Sequence, residues 1–478
     1  MVSLYGMPRH IGVSLDHVQR KNDTSMKLKL PLYTLPAIFT LAWPTMLEQL
    51  LQTAVQYIDT AMVGSLGTSA TAAVGSTTTV NWLIGSTVSA AGIGFLSYVS
   101  QSLGAGEAER AKRAAAQAVT AVLALGVFFT ALTLSLSPLV PVWMQVAPDI
   151  RALSATYFFI LYMPMLPRCA TIIFGTVLRA AGDSKTPMFV GLLVNAVNVV
   201  LNFLLIYPTR ELSLFGFRFN MFGAGLGVVG AAVASAIGFT VGGVAITAVL
   251  LRHGKVSPVG HSIRPDPEVL KPCLKVAAPN ALQRFGTSLG YVAFAAMVNS
   301  LGGIATAAHT IANTVESAFY IPGYGMQSAA ATLAGNALGA GDRKKFRDTS
   351  KTVIVVETIL MIVSGSLLFA FAPSMVRLFS RDAEVIRLGA TVLRMVALSE
   401  PFYGVSIVIE GMMQGMGKTV MPFITNIIGM WGIRIVGTFI CTQLLGMGLI
   451  SAWACMIAHN MLLFFSFSVY YAAGKLKV

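Results

Sequence analysis

The stretch Ala61-Met62-Val63-Gly64-Ser65-Leu66-Gly67 occurs a second time, 235 residues later, as Ala296-Met297-Val298-Asn299-Ser300-Leu301-Gly302. The same offset pairs Leu103-Gly104-Ala105-Gly106 with Leu338-Gly339-Ala340-Gly341, and it needs no gap over residues 43–106. A chain that contains one unit twice folds with a pseudo-two-fold axis between the two copies. The repeat therefore predicts two lobes of similar architecture.

The composition predicts a protein that lies within a membrane. Hydrophobic residues make up 55% of the chain and charged residues only 11%, whereas a soluble domain carries about 25% charged residues. Twelve apolar stretches each exceed the roughly 20 residues that a helix needs to cross a bilayer. We therefore predict an all-α polytopic membrane protein, with twelve transmembrane helices in two pseudo-symmetric six-helix lobes. The stretches lie near 36–62, 72–101, 114–138, 153–178, 187–207, 223–251, 270–299, 305–337, 352–373, 388–414, 419–443 and 447–472.

The spans divide the chain into two lobes and three polar segments. Each lobe contains an even number of crossings, so both copies enter the membrane in the same direction and the repeat is parallel. The predicted segments are a cytoplasmic leader 1–35, a first lobe 36–251, a cytoplasmic linker 252–269, a second lobe 270–472 and a cytoplasmic tail 473–478.

The positive charges indicate the orientation of the chain. With the N-terminus in the cytoplasm, the inside segments hold 23 of the 33 Lys and Arg residues, and the outside loops hold six. This positive-inside pattern predicts cytoplasmic termini in a prokaryotic inner or plasma membrane, and it accounts for the net charge of +14 without nucleic-acid binding. We expect a monomer whose other contacts are membrane lipid and a small molecule.

No ATP-binding motif accompanies the spans. The closest string to a phosphate-binding loop runs from Gly411 to Thr419, but its first glycine is one residue too far away and no strand precedes it. We therefore expect no cofactor, and any transport would use an H⁺ or Na⁺ gradient.

Carboxyl groups within the spans are the first candidates for function, because an acid at mid-membrane costs about 2.5–3.5 kcal/mol on insertion scales. Asp59 in the first span corresponds to Phe294 in the second copy, while Asn198 and Asn202 correspond to Ile433 and Gly437. Burial beside neutral amides disfavours the ionised form of a carboxyl, which suits a proton carrier. The alternative is a polar network that only holds helices together.

Other acids of the spans have more than one interpretation. Glu48 and Gln52 share a face with Asp59, so Glu48 is a relay, a substrate contact or the partner of a Lys or Arg near the inner surface. Glu357 is expected near that surface, since it lies six residues after Lys351. Pro44 and Pro279 are candidate hinges, because each frees a backbone carbonyl inside a span.

The second lobe carries its acids at other positions. Glu316 corresponds to Asn81 and is a candidate substrate-cation contact or second coupling site, with an ion pair to Arg284 as the rival. Glu400 and Glu410 of the tenth span face a cavity or, for Glu400, pair with Arg394 or Arg284. Glu316 belongs to a polar stripe at helical spacing that consists of His309, Asn313, Glu316 and Tyr320.

The chain resembles the multidrug and toxic compound extrusion (MATE) family over all twelve spans. The resemblance rests on Val55-x-x-Ile58-Asp59-Thr60-x-x-Val63-Gly64, on both Leu-Gly-Ala-Gly strings, on Leu178-Arg179-Ala180-Ala181-Gly182-Asp183-x-Lys185-Thr186-Pro187 and on Gly227-x-x-Gly230-Ala231-Ala232-x-Ala234-Ser235. It implies a V-shaped cavity between the lobes and export of organic cations against inward H⁺ or Na⁺. In this interpretation protonation of Asp59 from outside rearranges the amide network, and the first span bends near Pro44.

The resemblance also assigns the ion site and a branch. By position, Asp59, Asn198, Asn202 and Ser235 match the family's first-lobe ion site, with Na⁺ as the alternative ion at Asp59, Asn198 and Asn202. The second-lobe acids of the NorM-like branch fall on Thr287 and Tyr403 here, so that ion site is missing. The string Ile311-x-x-x-x-Glu316-x-x-Phe319-x-x-Pro322-Gly323 resembles the DinF-like branch instead.

We therefore expect an antiporter that exports lipophilic organic cations or drugs, and not an enzyme. The first alternative is a flippase of lipid-linked saccharides, although such proteins usually have more spans and a cationic cavity. An ion channel or an intramembrane enzyme is less favoured, because no catalytic constellation appears and one acid in one lobe is a poor pore ring.

Overall fold

The computed structural model describes residues 31–214 and 217–476, and most of these residues are helical. Residues 1–30 of the predicted leader and the last two residues of the predicted tail lie outside the described residues. The first lobe contains α1 (Leu35–Gly64), α2 (Thr68–Gly75), α3 (Thr78–Gly104), α4 (Ala108–Leu136), α5 (Val140–Trp143), α6 (Pro148–Tyr162), α7 (Met165–Ala180), α8 (Lys185–Leu205) and α9 (Gly227–Arg252). The second contains α10 (Pro267–Asn299), α11 (Gly303–Gly339), α12 (Arg343–Arg377), α13 (Ala383–Gly415), α14 (Val420–Ile427), α15 (Val436–Phe439) and α16 (Leu449–Ala472).

Helices cover all twelve predicted spans, so the predicted fold class is confirmed. Within the described chain, eight helices are long and apolar enough to cross a membrane, and α6 with α7, which are bent by 50°, would make a ninth span. The other predicted spans are α1, α10 and α11. Glu48, Gln52 and Asp59 lie on α1, as expected of a helix that faces protein or water. The eleventh span continues from α14 through π-helical turns at Ile428–Ile435 and Ile440–Leu444.

The helix boundaries reproduce the sequence repeat. The ends of α1 and α10, at Gly64 and Asn299, are 235 residues apart, and so are the starts of α4 and α12, at Ala108 and Arg343. Two helices of the first lobe are interrupted where their counterparts are continuous. The second span breaks between α2 and α3, and the fourth breaks between α6 and α7, where Pro164 precedes Met165.

A β-hairpin interrupts the repeat in the first lobe and was not predicted. Strands β1 (Pro208–Leu214) and β2 (Phe217–Ala224) pair antiparallel. The sixth span was predicted near 223–251, and α9 begins slightly later, at Gly227, because β2 still contains residue 223. The hairpin has no equivalent between α15 and α16, so the last helices of the two lobes, α9 and α16, begin only 222 residues apart.

The two lobes cross on the pseudo-two-fold axis at the ends of α3 and α11. A side chain at Gly104 would collide with the Asn336 carbonyl, and one at Gly339 would collide with the Gln101 carbonyl. These contacts exchange under the 235-residue offset, so each lobe presents the same surface to the other. The repeated glycines therefore allow two backbones to pack directly against each other.

Hydrogen bonds follow the same symmetry at their donors, and their acceptors are offset by one residue. Ser97 donates to the Gly415 carbonyl at 3.0 Å, and the equivalent Thr332 donates to the Arg179 carbonyl at 3.3 Å. Both bonds connect a helix of one lobe to the last turn of a helix in the other. They lie near the ends that the charge distribution predicts to face the cytoplasm, so the lobes meet on that side.

Hydrogen bonds hold the segment that connects the two lobes against α4. The described helices place it between Arg252, the last residue of α9, and Pro267, the first of α10, which is slightly shorter than the predicted linker 252–269. Gln117 on α4 donates to the Arg264 carbonyl at 2.8 Å and accepts from the Asp266 amide at 2.9 Å. A buried amide thus satisfies two backbone groups of an otherwise irregular segment.

Candidate functional site

The Asp59 carboxyl meets the amides of α8, as the lobe asymmetry predicts. Asn202 Nδ2 lies 2.6 Å from Asp59 Oδ1 and 3.1 Å from Asn198 Oδ1. The amide of Asn198 in turn lies 2.9 Å from Ser235 Oγ on α9. Asn198 and Asn202 are both buried. Three helices therefore position one connected network of an acid, two amides and a hydroxyl.

Two orientations of the Asn198 amide fit its surroundings, and each would give the amide different partners. In one, its Nδ2 donates to Ser235 and its oxygen faces Asn202. In the other, its Nδ2 lies 2.9 and 3.2 Å from the two oxygens of Asp59, and its oxygen accepts from the Ser235 hydroxyl at 2.9 Å. The second orientation suits an ionised carboxylate, which needs donors. The first suits a carboxylic acid, whose O–H could donate to the Asn198 oxygen.

The charge of the Asp59 carboxyl and the neutral oxygen atoms around it determine what this site could bind. Within the described residues, no Lys or Arg forms a salt bridge with Asp59, and no group of three or more His, Cys, Asp or Glu residues is arranged for a metal ion. Asn202 Oδ1 is buried and accepts no hydrogen bond from any described group. The site thus offers one titratable carboxyl and several neutral oxygens, which could serve a proton or a weakly held Na⁺.

The equivalent place in the second lobe contains an aromatic ring and an arginine side chain instead of an acid. Phe294 occupies the position of Asp59 and is 1% exposed. The guanidinium of Arg434 lies 4.3 Å from the Phe294 ring centre and 4.7 Å from that of Tyr291, and the His309 ring packs edge-on against Phe294. This pocket cannot duplicate the chemistry of Asp59.

Glu48 forms a salt bridge, which is one of its three predicted roles. Arg179 Nη2 lies 2.7 and 3.0 Å from the two carboxylate oxygens of Glu48. Under the repeat these residues correspond to Gln283 and Gln414, and both of those amides donate to Glu410 Oε1, at 2.9 and 3.2 Å. A charged pair in one lobe is therefore replaced by two amides around a different acid.

Gln52 and Asn313 do not join these networks. Both side chains are exposed. Asn313 is exposed, whereas Glu316, three residues later on α11, is only 6% exposed. The predicted polar stripe of α11 is therefore divided between two environments. Tyr320 of the same stripe packs edge-on against Tyr324 and Tyr403, with ring centres 5.5 and 6.3 Å apart.

The predicted ion pairs of the second-lobe acids do not form. Arg284 bonds to the Asn280 side chain at 2.9 Å, and Arg394 lies over the Phe369 ring. Among the described residues neither forms a salt bridge with Glu316 or Glu400. The cation whose charge acts on Glu316 is Arg434, from the eleventh span.

Glu357 was expected near the inner surface and was not predicted as a site residue. It is 0% exposed, and neither of its carboxylate oxygens has a hydrogen-bond partner in the described part of the chain. The signal that could have identified it is the rule used for Asp59, an acid within an apolar helix. Its short distance from Lys351 along the chain concealed it.

The hinge candidates lie inside continuous helices. Pro44 is within α1 and Pro279 within α10. Pro44 is buried beside the helix α11 of the other lobe, where Gly325 packs against Met46 and the Ala42 carbonyl. A bend at Pro44 would therefore alter a contact between the lobes.

Known proteins resemble this chain in both sequence and fold. The family model described as MatE matches residues 44–204 and again 279–440. The chain is 27% identical to "Probable multidrug resistance protein NorM" of Thermotoga maritima over 88% of each chain, and 25% identical to "Probable multidrug resistance protein YoeA" of Bacillus subtilis over 91% of each. A crystal structure titled "MATE in complex with MaD3S" superposes with a TM-score of 0.84 at 23% identity, covering 92% of this chain and 95% of that one.

The matches to the family model cover both copies of the repeat. They do not favour the alternative of a flippase for lipid-linked saccharides, and they leave the choice between the NorM-like and DinF-like branches open. Members of this family are integral membrane transporters and not enzymes. The chain belongs to the MATE family of multidrug and toxic compound efflux transporters.

Proposed function

We propose that this transporter exports lipophilic organic cations in exchange for protons that bind at Asp59. The observation that carries the proposal is the contact of Asp59 with Asn202 and Asn198. This is the one position at which an acid of the first lobe is replaced by a phenylalanine in the second lobe. A half-buried acid without a cationic partner changes the charge of its surroundings when a proton binds. Such a group can link an ion gradient to a change of conformation.

The Asn198 amide supplies a way to transmit that change. When Asp59 is ionised, both amides can donate to it, and Ser235 donates to the Asn198 oxygen. When Asp59 is protonated, its O–H requires an acceptor, and the Asn198 oxygen can serve if the amide turns over. Protonation therefore changes hydrogen bonds that connect α1, α8 and α9, and a bend of α1 near Pro44 would follow.

The cation would bind in the space between the lobes. Tyr320, Tyr324 and Tyr403 form an aromatic group near the acids Glu316 and Glu400. Aromatic faces with a nearby carboxylate attract a bulky organic cation. Glu410, held by Gln283 and Gln414, is a further candidate contact. Proton and cation must favour different states of the protein, so their binding is coupled.

The remaining expectations follow from the residues. Asp59 with Asn202 in the first lobe, and Thr287 and Tyr403 in place of the second-lobe acids, support a DinF-like coupling site. The excess of Lys and Arg in the predicted inside loops supports cytoplasmic termini in a prokaryotic inner membrane. We expect a monomer that uses no ATP and no cofactor.

Proteoliposomes loaded with tetraphenylphosphonium test the choice of ion. A pH gradient without Na⁺ should drive export, and a Na⁺ gradient at equal pH on both sides should not. Glu268→Gln is a suitable control, because the Glu268 side chain is 79% exposed. Export driven by Na⁺ alone would contradict proton coupling and favour Na⁺ at Asp59, Asn198 and Asn202.

A further inference from the structure

A second group of buried acids lies in the other lobe, on three adjacent helices. Glu316 is on α11, Glu357 on α12 and Glu400 on α13, and they are 6%, 0% and 1% exposed. Glu400 lies within reach of the charges of both Glu316 and Glu357. We call these three residues the second-lobe acid cluster. None of the three corresponds to an acid in the first lobe.

The acids of this cluster have no partners that would keep them ionised. Neither carboxylate oxygen of Glu357 or Glu400 has a hydrogen-bond partner among the residues described here. In the same part of the chain no Lys or Arg forms a salt bridge with any of the three acids. An ionised carboxylate that is buried without a partner costs several kcal/mol. The cluster therefore requires a positively charged ligand or protons.

The packing around Glu357 selects protons over a metal ion. Its Oε1 atom lies where a side chain at Gly323 or Gly404 would stand, 3.0 and 2.8 Å from the Cβ that either residue would carry if it were not glycine. The two glycines make a notch between α11 and α13 that holds the carboxyl, and the apolar side chains of Met361 and Ile407 border it. A cation with several ligands has no room there, and no three acids of the described chain are arranged around one point as metal ligands.

Other charged and titratable groups surround the cluster without neutralising it. Arg434 on the eleventh span acts on Glu316 alone among the three acids. Tyr320 on α11 lies near Glu316 and Glu400, and its own neighbours are Tyr324 on α11, Tyr403 on α13 and Tyr291 on α10. The histidines His309 on α11 and His459 on α16 lie near Arg434. One guanidinium cannot balance three carboxylates, so protons must account for the difference.

From these contacts we propose that the second-lobe acid cluster is a proton-binding site separate from Asp59, with Glu357 as its central member. It rests on the proposed function in one respect, because it adds to the protons that are exchanged for the organic cation. Each binding event forms one O–H bond on a carboxylate oxygen as hydronium gives up a proton and becomes water, and release breaks that bond and returns the proton to water. Binding of a cation near Tyr320 and Tyr324 would favour the ionised acids and so release protons from them.

Proton release on cation binding tests the proposal. The purified full chain in detergent and weak buffer receives tetraphenylphosphonium, and a pH indicator counts protons released per cation bound. The wild type should release more than Asp59→Asn, which should still release some. Adding Glu357→Gln to Asp59→Asn should reduce the rest, while adding Glu268→Gln should change nothing.

The outcomes separate this proposal from the proposed function. If the wild type releases no protons, proton coupling itself is wrong. If the wild type releases protons and Asp59→Asn binds the cation without releasing any, the second site is wrong.

A measurement without any ligand covers variants that fail to bind the cation. Infrared spectra during a pH titration should show a protonated carboxyl band that Glu357→Gln loses and Glu268→Gln keeps. Identical spectra for the wild type, Glu357→Gln and Glu400→Gln would overturn the proposal.

Discussion

The two lobes have the same helices and different polar chemistry. Asp59 contacts Asn202 in the first lobe, whereas its counterpart Phe294 packs beneath the guanidinium of Arg434. Glu48 pairs with Arg179, whereas the amides at the matching positions hold Glu410. Equal scaffolds with unequal side chains indicate that the repeat maintains the fold, and we expect the differences to carry the function.

The salt bridge of the first lobe offers the largest expected effect on stability. Glu48→Gln or Arg179→Gln alone leaves a buried charge unpaired, which should cost about 3–5 kcal/mol. The double variant recreates the two amides of the second lobe and should cost clearly less than either single change. Thermal unfolding of the purified protein measures all three. If the double variant lost as much stability as the two single variants together, the first lobe would not accept the pair of amides that the second lobe contains.

Converting the amides of the first lobe to their second-lobe counterparts should impair transport. Asn198→Ile with Asn202→Gly removes the donors that Asp59 contacts, each worth about 1.5–3 kcal/mol when the acceptor is charged. We expect pH-driven export to fall at least tenfold. Asn195→Met is the matched control, since Asn195 lies on the same helix and is absent from the Asp59 network. Equal losses in both variants would mean that α8 is generally sensitive.

The crossing of α3 and α11 should respond symmetrically to substitution. Gly104→Ala and Gly339→Ala each place a methyl group against a backbone carbonyl of the other lobe, and overpacking of this kind costs about 1–3 kcal/mol. Their effects on thermal stability should be similar. Gly254→Ala, where an added Cβ meets no atom within 4 Å, is the control. A large difference between the first two would show that the contact is not reciprocal.

The smallest expected effect concerns the stability that the linker contributes and how that stability depends on pH. The Arg113 guanidinium holds the pKa of Asp266 below its usual range, with the two groups 2.6 Å apart. The stabilisation is therefore present above the ordinary aspartate pKa of about 4 and is lost as the pH falls through the lowered value. Asp266→Asn should reduce stability slightly at neutral pH and flatten this acid dependence. An unchanged pH profile of thermal unfolding would contradict it.

Much of the fold was predictable from the sequence because the signals were long. The 235-residue offset and twelve apolar stretches predicted helices whose ends agree between the lobes. The hairpin was missed, although Phe217-Arg218-Phe219-Asn220-Met221-Phe222 alternates as a strand does. Its six residues are too few to alter a hydropathy pattern that is averaged over a membrane span.

The candidate site was predictable where one helix carried the pattern. Asn198 and Asn202 share a face of α8, and only Asp59 breaks the repeat opposite them. The partner of Glu48 and the isolation of Glu400 were not predictable, because they depend on how neighbouring helices rotate. Glu357 illustrates the same limit, since its notch is formed by glycines of two other helices.

Export from proteoliposomes under a pH gradient, without Na⁺, tests the central claim most directly. Wild-type protein should export tetraphenylphosphonium at a rate that rises with the gradient, and Asp59→Asn should show no response to it. Glu268→Gln should export as the wild type does. Export by Asp59→Asn at the wild-type rate, with the same dependence on the gradient, would contradict a coupling role for Asp59.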